Sequence, residues 1–142
     1  MLYGIGCDLC EVARMEKSLS GAHGPAFVRR VFGPAEQAAL GLGAEAAPWP
    51  AGRASAHKAA SAAADFAAKE AFLKAAGTGL AAPFSLCEIE AVRLPSGAPN
   101  YRFSGKTAEW VAAHHLTAKL SLSHDGGMAL AFCTLEQLPP ET

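Results

Sequence analysis

The chain lacks the features that announce a compartment or a polyanionic partner. No apolar run approaches the ~18 residues that a membrane-spanning helix needs. The opening residues, MLYGIGCD, carry neither a basic n-region nor a small-residue cleavage site, so the expectation is a cytoplasmic protein without a secretory leader. Charge is scarce and balanced: 12 Lys and Arg stand against 13 Asp and Glu, for a net charge of −1. Such a balance exerts no global pull toward nucleic acid or an anionic membrane. The four cysteines, Cys7, Cys10, Cys87 and Cys133, accompany a 51% apolar composition. A disulfide framework belongs to small exported chains with poor cores, so these read as free, mostly buried thiols. No G-x-S-x-G is present, which excludes a nucleophile elbow. No third glycine follows Gly4 and Gly6, which leaves the dinucleotide fingerprint unfilled. Internal repeats are absent too.

What is present fits one domain over residues 1–142, long enough for a single hydrophobic core. LYGIGCD alternates as a strand, with Tyr3, Ile5 and Cys7 on one face and Gly4, Gly6 and Asp8 on the other. EVARMEKSLS carries Val12, Met15 and Leu19 at helical spacing. GPAEQAAL is a helix start, and AEAAPWPAGR a Pro/Gly-containing linker. The longest helix is predicted over residues 54–76, rich in Ala and Lys and closed by Gly77. LCEIEAVRL and YRFSG read as strands, and KTAEWVAAHHL as a short helix with Ala108, Val111, Ala112 and His115 inward. AKLSLSH and MALAFCTL form a hairpin through DGG, before a tail, PPET. Helices between hairpin-linked strands predict an α+β fold.

Several residues invite chemistry. Cys7 and Cys10 make a C-x-x-C between strand and helix, the placement of a redox dithiol. Packing thiols are the simpler account, and zinc would need two further ligands. Gly4 and Gly6 are better read as clearing space for a close backbone approach than as a phosphate loop. Asp8 and Glu11 have capping-box spacing, so Asp8 is either a helix cap or a metal ligand. Phe66, Glu70 and Lys74 share one helix face, with Lys69 offset from it. Glu70 and Lys74 are either a surface pair or a carboxylate for Mg²⁺ beside a cation for phosphate. His124, in LSLSHDGG, is a strand-end histidine with either a structural or a catalytic reading.

Three stretches together resemble one family. YGIGCDLCEVARM is similar to its opening G-[IL]-G-x-D-[IL]-x-E-x-x-R. FAAKEAFLKAAGTGL is similar to its central F-A-x-K-E-A-x-x-K-A-x-G-T-G, and LSLSHDGGMALAF to its closing hairpin. FVRRVFGPAE and the turn at Gly97 to Pro99 match more loosely. The family is the small bacterial 4′-phosphopantetheinyl transferases, the holo-[acyl-carrier-protein] synthases. The resemblance implies a mostly antiparallel sheet packed on a long central helix. It implies an enzyme that moves the 4′-phosphopantetheine arm of coenzyme A onto a serine of apo acyl carrier protein, releasing adenosine 3′,5′-bisphosphate, with a place in fatty acid biosynthesis. It further implies Mg²⁺ on Asp8 and Glu70, and Lys74 on the coenzyme phosphates. Gly77, Thr78, Pro99 and His124 would lie near the nucleotide, with His57 and Lys58 at the offset of the family's basic residues for the 3′-phosphate. Arg14 and Arg30 would dock the carrier protein. The family's trimers, with a cleft between neighbours, imply that His124 and Pro99 serve an adjacent protomer.

The chemistry suits these residue types. Phosphoryl transfer needs positioning and charge neutralisation. Either a carboxylate or a metal-bound water could take the serine proton. An acidic carrier protein needs a basic docking face even on a neutral enzyme. The chain departs from the family pattern at Asp65, where arginine is usual, at Ala98 within the turn, and in a longer stretch over residues 40–56. Asp65 beside a polyanionic coenzyme should weaken its binding. It also favours the alternative of a non-catalytic member that binds coenzyme A or carrier protein.

Overall fold

The structure, a computed structural model, describes residues 1–43 and 49–139. Part of the linker (44–48) and the end of the tail (140–142) lie outside the described residues. In chain order the elements are β1 (Leu2–Glu11), α1 (Val12–Ser20), α2 (Gly24–Val31), α3 (Pro34–Leu40), α4 (Gly52–Ala76), β2 (Ile89–Arg93), β3 (Pro99–Phe103), α5 (Gly105–Ala113), β4 (Leu116–Asp125) and β5 (Met128–Gln137). β1, β5 and β4 form an antiparallel sheet in that order, and β2 and β3 form a separate hairpin. The α+β architecture around a long central helix is therefore as expected.

Helix α4 is the axis of the core. Ala62, Ala63, Ala64, Ala67, Ala68 and Ala71 are fully buried along it, so neighbours approach its backbone from several sides. Gly77, left-handed at φ 87°, closes it and donates to the Leu73 and Lys74 carbonyls. Against it lies the inner face of β1. A Cβ at Gly6 would fall 2.8 Å from the Ala75 nitrogen and still nearer the Ala71 carbonyl oxygen; one at Gly4 would strike the Ala75 carbonyl. The glycines of the opening motif thus admit a helix, not a phosphate.

A buried polar clamp fixes the far side of α4. Lys69, fully buried, donates to Glu36 and to the Leu86 and Ile89 carbonyls. Glu36 also accepts from the Gly33 and Ala91 N–H groups (3.1 and 3.0 Å), and Glu90 accepts from the Glu36 N–H (2.9 Å). This network joins α3, α4 and β2, and its polar atoms are satisfied, as burial demands.

Several expectations change. β1 runs on to Glu11, pairing Asp8 with Ala131 and Glu11 with Met128, so Asp8 caps no helix. Leu86–Glu88 forms a single 3₁₀ turn before β2. On α5 the buried residues are Thr107 and Val111, while Ala112 and His115 are exposed. Cys10 and Cys133 are buried as free thiols, but Cys7 is exposed. Among the described residues no helix is long and apolar enough to cross a membrane.

Candidate active site

Asp8 and Glu70 come within electrostatic reach of each other because Gly4 and Gly6 let α4 lie on β1. Asp8 is the inward residue two places after Gly6, and Glu70 and Lys74 emerge from the facing side of the helix. Lys74 Nζ donates to Asp8 Oδ1 at 3.0 Å and to the Cys7 carbonyl at 2.9 Å. That hydrogen bond, together with the Asp8 charge, holds the ammonium pKa above its usual value. The Glu70 carboxyl is pushed up, first by burial and then by the nearby Asp8 charge, while Lys74 pulls it down. Asp8 and Glu70 thus lie within electrostatic reach, with one cation on Asp8.

Among the described residues no cluster of three or more His, Cys, Asp or Glu side chains is placed to hold a metal. The donor set here is two carboxylates and a backbone carbonyl. Oxygen donors in this number fit Mg²⁺, which keeps several positions for water or substrate phosphate. A zinc or redox site on the C-x-x-C does not form. Cys7 and Cys10 point to opposite faces of β1, and burial, mainly, raises the Cys10 thiol to about 11.

The second group of expected residues lies elsewhere. His124 Nε2 donates to the Ala60 carbonyl (3.2 Å) at one edge of a groove of about 510 Å³ between the first turns of α4 and the β4–β5 turn. His57, Ser61, Asp125 and Met128 also line it. Nothing in the spacing of Ser61 and Asp125 marks them in advance. His57 and Glu70 stand ~20 Å apart along the helix, at 1.5 Å per residue. Lys58 turns away from this groove, donating to the Gly41 carbonyl (2.9 Å) and sitting 5.1 Å from the centre of the Trp49 ring. Pro99 opens β3 opposite Arg93, and Gly77 and Thr78 are exposed beyond α4. The chain thus brings Asp8, Glu70 and Lys74 together, whereas His124, bonded beside Ala60, and Lys58 stand with the helix positions ~15–18 Å before Glu70.

Asp65 does not face this site. It is 5% exposed, near Glu36, Lys69 and Arg93, on the clamp side of α4. Burial, and secondarily Glu36, raises its carboxyl from 3.8 to about 7. Its expected opposition to a bound coenzyme is thus replaced by a role in the interior. Arg14 and Arg30 are exposed on α1 and α2, and Arg30 borders a hollow of about 320 Å³ with His23 and Phe27.

The sequence model of the 4′-phosphopantetheinyl transferase superfamily matches residues 4–133. A holo-[acyl-carrier-protein] synthase of Methylobacterium sp. (strain 4-46) is 40% identical over 100% of this chain and 99% of its own. The crystal structure of the synthase from Neisseria meningitidis superposes with a TM-score of 0.76 at 29% identity, covering 96% of this chain and 100% of that one. The synthase from Bacillus anthracis, solved in complex with CoA (3′,5′-ADP), gives 0.71 at 30% identity, covering 97% and 99%. With family motifs, fold and full-length relatives in agreement, the chain belongs to the 4′-phosphopantetheinyl transferase superfamily.

Proposed function

We infer that this protein is a holo-[acyl-carrier-protein] synthase. It transfers the 4′-phosphopantetheine arm of coenzyme A to a serine of apo acyl carrier protein. The serine oxygen forms a bond to the phosphorus nearer the arm as its proton passes to a carboxylate or to water, the bond from that phosphorus to the bridging oxygen breaks, and adenosine 3′,5′-bisphosphate leaves. The observation that carries this reading is the meeting of Asp8, Glu70 and Lys74 on one β1–α4 seam. Asp8 and Glu70 would hold Mg²⁺, which when bound offsets charge on the pyrophosphate. Lys74, exposed one turn beyond Glu70, reaches toward the same anions. Arg14 and Arg30 present a local basic face to an acidic carrier protein, whatever the net charge.

The protein is proposed to work as a trimer with sites between subunits. Two observations support this. Ile5 (57% exposed), Leu9 (59%) and Phe132 (41%) leave an apolar outer sheet face uncovered. The groove beside His124 is also separated from Asp8 and Glu70 within one chain, so a neighbour's His124 and Pro99 could complete the site. A role in fatty acid biosynthesis in the cytoplasm follows from this activity.

The test is incubation with coenzyme A, Mg²⁺ and apo carrier protein, read by intact mass. Gain of one phosphopantetheine arm, lost in Asp8→Asn and Glu70→Gln, supports the enzyme. Coenzyme binding without transfer would instead identify a non-catalytic member.

A further inference from the structure

Resting on the reading that Asp8 and Glu70 hold a divalent cation, we propose that Lys74 is a placeholder: its ammonium occupies Asp8 in the free protein, and cation binding releases it toward the coenzyme phosphates. Two oxygen acceptors hold it, Asp8 Oδ1 at 3.0 Å and the Cys7 carbonyl at 2.9 Å. Both are the donor type that a hard cation takes. The two partners are unequally anchored. The Lys74 side chain is 56% exposed, whereas that of Asp8 is 19% exposed and fixed on a strand. Packing therefore does not pin the lysine; its oxygen partners do. A flexible four-carbon stem can leave without disturbing the fold.

An ammonium and a divalent cation cannot both sit on one carboxylate without strong repulsion. Lys74 hence competes with the metal while the coenzyme is absent, and cooperates with it once phosphates are present to share. By linkage, a cation that frees Lys74 raises coenzyme affinity, and the coenzyme raises cation affinity in return. The free enzyme thus keeps Asp8 paired with a cation without needing a resident metal.

Mn²⁺ serves as the spectroscopic probe, titrated into the full-length protein and followed by its free-ion electron paramagnetic resonance signal. Lys74→Met should bind Mn²⁺ about fivefold more tightly than wild type, the scale of an exposed ion pair. Lys74→Arg should restore weaker binding. In wild type, acylation of the Lys74 amine, read by peptide mass spectrometry, should rise severalfold with Mn²⁺ alone and fall again when coenzyme A is added. Equal Mn²⁺ affinity in wild type and Lys74→Met, or Lys74 acylation indifferent to Mn²⁺, overturns the placeholder. Mn²⁺ binding to neither protein overturns it together with the metal site. Failed arm transfer with both Mn²⁺ effects intact would overturn only the enzymatic reading.

Discussion

Gly6→Ala is a minimal perturbation with a large expected effect. Gly6 is not among the glycines with positive φ, so an alanine there meets no backbone strain of its own. What it meets is α4: the new methyl lies 2.8 Å from the Ala75 nitrogen and overlaps the Ala71 carbonyl. Both are backbone atoms of a helix buried in the core, so no side chain can swing aside. Strand and helix must part by more than ~1 Å, at or beyond the upper end of the ~1–3 kcal/mol typical of overpacking. For a domain of this size, ~3 kcal/mol corresponds to a melting-temperature loss on the order of 10 °C by calorimetry. Parting the seam also moves Asp8 from Glu70, and a 1 Å misplacement at a catalytic site can cost about 10²-fold in rate. Gly79→Ala is the control. Gly79 has φ 63° and nothing within 4 Å of a Cβ, so only a conformational cost of ~1–2 kcal/mol is expected, with little change in transfer rate. If Gly6→Ala melts within about 2 °C of wild type and transfers at the wild-type rate, the close packing of β1 on α4 sets neither stability nor site geometry.

Two further outcomes follow from the same geometry. The Asp65 carboxyl rises from 3.8 unfolded to about 7 folded, so the folded state binds more protons between these values and stability should fall as pH rises from about 4 to 7. Asp65→Asn should flatten that fall in urea titrations and gain up to about 4 kcal/mol at pH 8, and an unchanged pH profile would remove Asp65 from the clamp's electrostatics. Charge reversal of Arg14 and Arg30 together should raise KM for the carrier protein about tenfold or more with kcat little changed, and should weaken the dependence of kcat/KM on salt; equal salt dependence in both proteins would place docking elsewhere.

The legible parts of the fold are those set by local signals. Helix α4 shows in its alanines and its Gly77 cap, and the β4–β5 hairpin in Gly126 and Gly127, both with positive φ. The errors arose where long-range pairing beat a local signal. The spacing of Asp8 and Glu11 suits a helix cap, but pairing with β5 holds both in the strand. Leu86 reads as strand, yet its carbonyl and that of Ile89 turn to the buried Lys69. Charge misled in the same way at Asp65, because the sequence pattern around it does not reveal that Glu36, from a distant helix, makes that side of α4 the interior.

The candidate site was half legible for a related reason. Gly4 and Gly6 announce a close approach, but not which element makes it; Glu70 and Lys74 announce a shared face, but not what it faces. The β1 alternation joins the two halves. Even-numbered residues meet α4 and end in Asp8 and Cys10, while odd-numbered Ile5 and Leu9 form the apolar outer face. A one-residue slip would bury Ile5 against the helix and turn Asp8 outward. The irregularity between Leu2 and Gly4 and the eight-residue pairing that follows hold that register. The strand that presents Asp8 to Glu70 is therefore the strand that carries the exposed apolar face proposed to meet a second copy. Covering that surface with a second copy would brace the β1 register from one side as α4 braces it from the other, tying assembly to the geometry of the site.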